Sequence, residues 1–261
     1  MRNRHFYLCR VQFLGFRYSG WQKQPGQKTI EGMLIKTLKY ILPQRSLKIL
    51  GAGRTDAKVS ALNAAFTLIL DGEPIGKLND FLQELNINLP PDIRVLDICT
   101  SSKDFNIIQD SKQKEYHYFF SITKKNHPFC APFMANFMSP LDIDKMKKCS
   151  AAFQGTHSFH NYTANKTSKK SYIRTVHTCS LEINTQLKAN FFPETSYVLK
   201  IKSKGFGRYQ VRMIMGALLL VGEGKLSLTD IEQSLIQGNE LKISRVAPGS
   251  GLLLKDLSFD P

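Results

Sequence analysis

Gly51-Ala52-Gly53-Arg54-Thr55-Asp56-Ala57 is the stretch from which the rest of the chain is read. A strand-like run at 47–50 leads into it, and two glycines at i and i+2 let the backbone turn sharply and let another group come close. A permanently charged guanidinium and a short carboxylate follow at once. An aspartate held beside an arginine stays ionised at neutral pH, which suits a nucleophile or base that works as the anion. Two phosphate-binding readings fail here. A dinucleotide fingerprint would need Gly or Ala where Asp56 stands, and a P-loop would need a following Gly-Lys-Ser/Thr that is absent. Residues 62–70 (LNAAFTLIL) then read as a strand, not as a long helix opened by glycines. A glycine turn with a purely structural Arg–Asp pair remains open on composition alone.

Working outward, the first half alternates strands and helices. Residues 6–14 (FYLCRVQFL) read as a strand. Thr29 stands where an N-cap belongs, ahead of Ile30, Met33, Leu34, Leu38, Ile41 and Leu42 on one helical face, and Pro43 ends the helix. Leu78, Phe81, Leu82 and Leu85 have helical spacing, and Leu89-Pro90-Pro91 forces an extended turn before a strand at 93–99. The polar stretch 100–114 reads as a linker, dividing the chain into 1–103 and 104–261. In the second half, Tyr116, Tyr118, Phe120 and Ile122 share one face of a strand. A helix is expected at 142–153, strands near 176–183 and 197–203, and a helix from Arg208 to Val221. A last helix starts at Ser227 with Asp230 three residues on, close to a capping box, and a strand at 252–258 closes the chain. The pattern is that of an α+β protein with two similar-sized lobes.

The 261 residues, 42% hydrophobic, suffice for one large core or two medium ones. Thirty-six Lys and Arg against 21 Asp and Glu give a net charge of +15. Such a field favours a polyanionic partner, nucleic acid first. A membrane partner is not expected, because no stretch approaches the ~18 uncharged apolar residues of a spanning helix. A basic segment at 160–174 carries Lys166, Lys169, Lys170 and Arg174. The five cysteines lie far apart without a C-x-x-C pair, which argues against disulfides and against a zinc site; they read as small buried hydrophobes. No metal site is expected. The N-terminus leads straight into strand-like sequence, so a cytoplasmic location is expected.

The run GAGRTDA resembles the signature of the TruA family of tRNA pseudouridine synthases, and further segments resemble that family in the same order along the chain. Phe16-Arg17-Tyr18-Ser19-Gly20-Trp21-Gln22 is similar to its aromatic G-W-Q element, and Lys114-Glu115-Tyr116-His117-Tyr118 to its basic-x-Y-x-Y strand. Gly155-Thr156-His157-Ser158-Phe159 is similar to its G-x-H-x-F element, and Ser171-Tyr172-Ile173-Arg174-Thr175-Val176 to its R-T-[IV] segment. Gly205-Phe206-Gly207-Arg208-Tyr209-Gln210-Val211-Arg212 resembles a motif ending in V-R, and Ala247-Pro248-Gly249-Ser250-Gly251-Leu252-Leu253-Leu254 an A-P-x-x-G-L-x-L close.

The resemblance implies two α/β lobes with mostly antiparallel sheets flanked by helices and a basic cleft between them. It implies an isomerase that turns uridine into pseudouridine in the anticodon stem-loop of tRNA, without a cofactor and as a homodimer. Asp56 is then the nucleophile and Arg54 its neighbour in the cleft. Tyr116 packs on the target base, Arg212 holds the aspartate, and Leu253 helps form the apolar wall of the pocket. Arg208, one helical turn from Arg212, faces the same way, and the basic 166–174 segment meets phosphate. Tyr118 reads as core. Two residues depart from the family, which usually has A-G-V-H-A after the aspartate: Lys58 stands for the Gly and Ser60 for the His. They leave open a synthase acting on another RNA such as ribosomal RNA. A non-catalytic RNA-binding protein on the same scaffold is the further alternative.

Overall fold

The computed structural model describes residues 3–164 and 172–259, and the fold is α+β. The chain divides into two compact units, 1–112 with 254–261, and 113–253. The polar stretch expected as a linker is shorter than its sequence suggests: strand runs to Ser101 on one side and resumes at Ser111 on the other. The closing strand is counted largely with the first unit, a long-range return that no local pattern signals.

In the first unit, β1 (Arg4–Phe13) alternates cleanly, with Tyr7, Cys9, Val11 and Phe13 buried, the period-2 signature of a sheet covered on one face. The helix α1 (Ile30–Ile41) follows, and the Thr29 side chain accepts a hydrogen bond from the Gly32 N–H, as its N-cap position predicts. Ile30, Leu34 and Leu38 carry its buried stripe. Then come β2 (Leu47–Gly51), β3 (Ser60–Asp71), α2 (Leu78–Asn88) and β4 (Ile93–Ser101). β1 lies between β3 and β4, antiparallel to both, and β2 also pairs antiparallel with β3.

The second unit opens on β5 (Ser111–Ile122) and β6 (Ala135–Phe137), followed by α3 (Ile143–Ala151), β7 (Gly155–Ser158), β8 (Ile173–Ile183) and β9 (Tyr197–Ser203). The sheet order is β5-β9-β8-β7, antiparallel throughout, with β6 added parallel to β5. Two helices complete the unit, α4 (Gln210–Gly222) and α5 (Leu228–Ser234). The Ser227–Asp230 capping box is fully formed. The last strand, β10 (Leu252–Phe259), joins β3 in the first unit. There Leu257 shares a cluster with Ala52, Ala65 and Ile107.

Every residue of α4 is buried except Arg212 and Leu220. A helix apolar nearly all round belongs in a core, so a single arginine on it is the informative residue. The helix begins two residues later than the sequence predicts. Tyr209 takes a left-handed conformation, φ 65°, in the N-cap position. Arg208 therefore lies before the helix, and the expected one-turn spacing of Arg208 and Arg212 does not apply. Four cysteines are buried as expected, but Cys99 is exposed; all are free thiols. Burial pushes the Cys179 thiol up to about 12. Among the described residues no helix is long and apolar enough to cross a membrane.

Candidate active site

Asp56 lies half-buried in the loop between β2 and β3, and a second loop, 15–22, cradles it. The Trp21 N–H donates to the Thr55 carbonyl at 3.1 Å, and the Lys58 N–H to the Tyr18 carbonyl at 3.0 Å. The Gly15 N–H donates to Ser60 Oγ at 2.9 Å in a buried setting. Backbone groups on both sides of Asp56 are thus fixed by residues some 35 to 45 positions earlier. Trp21 is buried between Phe13 and Phe66, ring centroids 6.1 and 6.3 Å away. Its indole sits where a Gly51 side chain would be, 2.5 Å from an ideal Cβ. Neither Gly51 nor Gly53 takes a positive φ, so close approach, rather than a left-handed turn, is what Gly51 supplies.

The cradle is itself anchored. The Ile30 and Glu31 N–H groups at the start of α1 donate to the Gly20 and Trp21 carbonyls at 3.1 and 3.0 Å. The Tyr18 hydroxyl donates to Asp92 at 2.6 Å, and Arg17 pairs with the same carboxylate at 2.7 Å. Burial, then the bond to Asp92, pushes the Tyr18 phenol well above its ordinary range, so it remains a neutral donor.

The two departures from the family pattern acquire physical roles here. The Val59 N–H donates to the Asp56 carbonyl at 3.2 Å, closing a turn in which Lys58 stands third with φ 67°. Gly or Asn is usual where a third residue takes positive φ. The Lys58 ammonium lies 5.5 Å from the centre of the Phe16 ring. Left-handed backbone costs a non-glycine residue ~1–2 kcal/mol. A glycine there would itself lose ~0.5–1 kcal/mol in chain entropy and ~0.5–1 kcal/mol of cation–π attraction. These nearly cancel, so Lys58→Gly is expected to change stability by less than about 1 kcal/mol. Lys58→Val adds β-branching to the same backbone and removes the ring contact, and should lower the urea midpoint clearly. Equal midpoints for the two variants would contradict this account. Ser60, in place of the family's histidine, is buried and uses its hydroxyl on the Gly15 N–H.

In the second unit, Tyr116 on β5 is half-buried and meets Phe206 edge-on, ring centroids 5.4 Å apart. Arg212 Nε donates to the Ala247 carbonyl at 2.7 Å, and the Ala247 N–H returns a bond to the Arg212 carbonyl at 3.0 Å. Arg208 and Arg212 both lie over the Tyr209 ring, at 5.1 and 4.9 Å. The two arginines converge through that left-handed tyrosine, which the sequence reading missed. A tyrosine between two arginines in a glycine-rich approach to a helix was the available signal. Tyr118 is core, as expected; its hydroxyl donates to the Pro248 carbonyl at 2.9 Å, and burial pushes its phenol far up. The A-P-x-x-G-L segment therefore ties down both Arg212 and Tyr118.

Leu253 is half-buried against Phe119, Cys130, Met134 and Val198. Arg174 stands on β8 opposite His157 of β7. His157 bonds the Gln154 carbonyl at 2.8 Å. Burial lowers the Lys114 ammonium from its ordinary value, and Lys114 shares a strand face with Tyr116. Arg54 and Arg208 are exposed. Lys166, Lys169 and Lys170 lie outside the described residues. Asp56 and Arg54 belong to the first unit, and Tyr116, Arg174, Arg208, Arg212 and Leu253 to the second.

A carboxylate on a braced loop thus stands in the first unit, and an arginine tied down on a buried helix and a tyrosine on a strand stand in the second. Residues 150–260 match a family model described as tRNA pseudouridine synthase. A protein named tRNA pseudouridine synthase A from Bacteroides fragilis is 31% identical over 255 residues, covering 97% of this chain and 96% of the relative. One of the same name from Thermodesulfovibrio yellowstonii is 30% identical over 256 residues, covering 95% and 97%. A third, tRNA pseudouridine synthase A 1 from Protochlamydia amoebophila, is 30% identical over 260 residues, covering 98% and 97%. The chain belongs to the TruA family, that of tRNA pseudouridine synthase A.

Proposed function

We propose that this protein isomerises uridine to pseudouridine in the anticodon stem-loop of tRNA, with Asp56 as the nucleophile. Family membership over nearly the whole chain carries the reading, and the bracing of the Asp56 loop supports it. The reaction breaks the N1–C1′ bond, turns the uracil and rejoins it through C5. Atoms and electrons balance within the nucleotide, so no external reactant enters. A carboxylate serves whether it attacks C1′, removes a ribose proton or adds to C6; each route needs the anion in a site that excludes water.

In this reading two lobes enclose a basic cleft. Arg212 holds the Asp56 carboxylate, Tyr116 receives the base, and Leu253 contributes to the apolar wall. Arg54, Arg174 and Arg208, with Lys166, Lys169 and Lys170, meet the backbone phosphates. Removing the base from its stack costs a few kcal/mol, which the aromatic surface and phosphate contacts offset. The enzyme works in the cytoplasm as a homodimer that shares one tRNA. Incubation with unmodified tRNA, followed by carbodiimide treatment and primer extension, should yield new stops in the anticodon arm. Stops confined to ribosomal RNA would overturn the tRNA assignment.

A further inference from the structure

The turn that leaves β5 has an unusual backbone that side chains hold in place. Thr123 takes φ 68°, an outlier for a β-branched residue, and such backbone persists only where its surroundings hold it. They do so here. The Thr123 N–H donates to the Phe137 carbonyl at 2.9 Å, and Asn136 Nδ2 to the Lys124 carbonyl at 2.9 Å. The Asn126 N–H donates to Asn136 Oδ1 at 3.1 Å, and Ser121 Oγ to Asn126 Oδ1 at 2.8 Å.

This fixed turn presents Lys124 and Lys125, both exposed and, among the described residues, without an ion pair. It runs into His127-Pro128-Phe129, where His127 Nδ1 accepts from the Phe129 N–H at 3.3 Å. Phe129 is 66% exposed. Its ring is nevertheless held edge-to-face by His127 at 5.0 Å and by Phe191 at 5.8 Å. No Asp or Glu occurs from 121 to 140.

We propose that Lys124–Phe129 is a second contact surface for RNA, on which an unpaired base stacks on Phe129 while Lys124 and Lys125 meet the flanking phosphates. An aromatic ring beside cations is how single-stranded nucleic acid is held without base-specific bonds. The charge decides against a second copy of this chain. A like-on-like contact through this segment would set its lysines against a stretch that has no Asp or Glu from 121 to 140, and lysine is depleted from protein interfaces. The proposal rests on the reading that the substrate is RNA.

The test measures affinity for unmodified tRNA across a salt series, together with kcat and KM. Phe129→Ala should weaken binding by roughly 5- to 100-fold and raise KM with kcat unchanged, while Phe129→Tyr restores affinity. Lys124→Ala with Lys125→Ala should lower the slope of log affinity against log salt by about 1.4–1.8. Wild-type affinity in Phe129→Ala, with wild-type enzyme active on tRNA, would overturn this surface alone. Dissociation of an oligomer by Phe129→Ala, seen by sedimentation, would assign the ring to a subunit contact instead. Wild-type protein that neither binds nor modifies tRNA would end the proposed function as well.

Discussion

Asp56→Asn is expected to lower pseudouridine formation by on the order of 10⁴-fold or more, the scale seen when a nucleophile is removed from a group that acts as a unit. The amide is nearly isosteric, so the loop should keep its shape: bonds that position it run through the Thr55 and Asp56 carbonyls and the Lys58 and Val59 N–H groups, which the substitution leaves in place. Affinity for tRNA should therefore remain within a few-fold of wild type, and the thermal midpoint should hardly move. Single-turnover assays with excess enzyme separate the chemical step from binding. Normal turnover in this variant would end the nucleophile assignment; loss of turnover with loss of folding would say only that the loop had collapsed.

The second large effect is expected from a residue with no chemistry of its own. An ideal Cβ on Gly15 would overlap the Val59 carbonyl oxygen. The obstacle is backbone, which cannot rotate away as a side chain can. Gly15→Ala should therefore either push loop 15–22 outward or displace the 56–60 turn, breaking the buried bond from the Gly15 N–H to Ser60. Overpacking costs ~1–3 kcal/mol and occasionally more, and an unsatisfied buried N–H adds ~1–3 kcal/mol. A fall of several degrees in midpoint is expected, with a drop in kcat on the order of 10²-fold, because misplacement of a reacting group by about 1 Å has that effect. A Gly15→Ala protein with wild-type midpoint and kcat would show that the two loops are not rigidly coupled.

Local signals were legible wherever the physics is local. The Thr29 cap, the Ser227–Asp230 box, the alternation of β1 and the aliphatic spacing of α1 each depend on neighbours within a few residues, and each is present. The three-residue β6 was not legible, because a parallel pairing to β5 leaves no pattern in so short a run. The start of α4 was misplaced because Tyr209 takes a backbone conformation that its residue type does not advertise. The exposed Cys99 departs from the usual burial of its type on the outer strand β4. At the candidate site, residue types were readable from motifs, whereas the groups that hold them were not. The Thr55 carbonyl is fixed by Trp21 and the Arg212 guanidinium by Ala247, pairings across long chain separations.

The tie between Arg212 and Ala247 also has a consequence for biosynthesis. Synthesis proceeds from the N-terminus at roughly 5–20 residues per second, and the carbonyls that steady Arg212 and Tyr118 belong to Ala247 and Pro248, made 35 and 130 residues after the side chains they hold. A nascent polypeptide still within the ribosome carries both side chains before either acceptor has emerged. Premature termination products that stop short of Ala247 would lack both of these bonds.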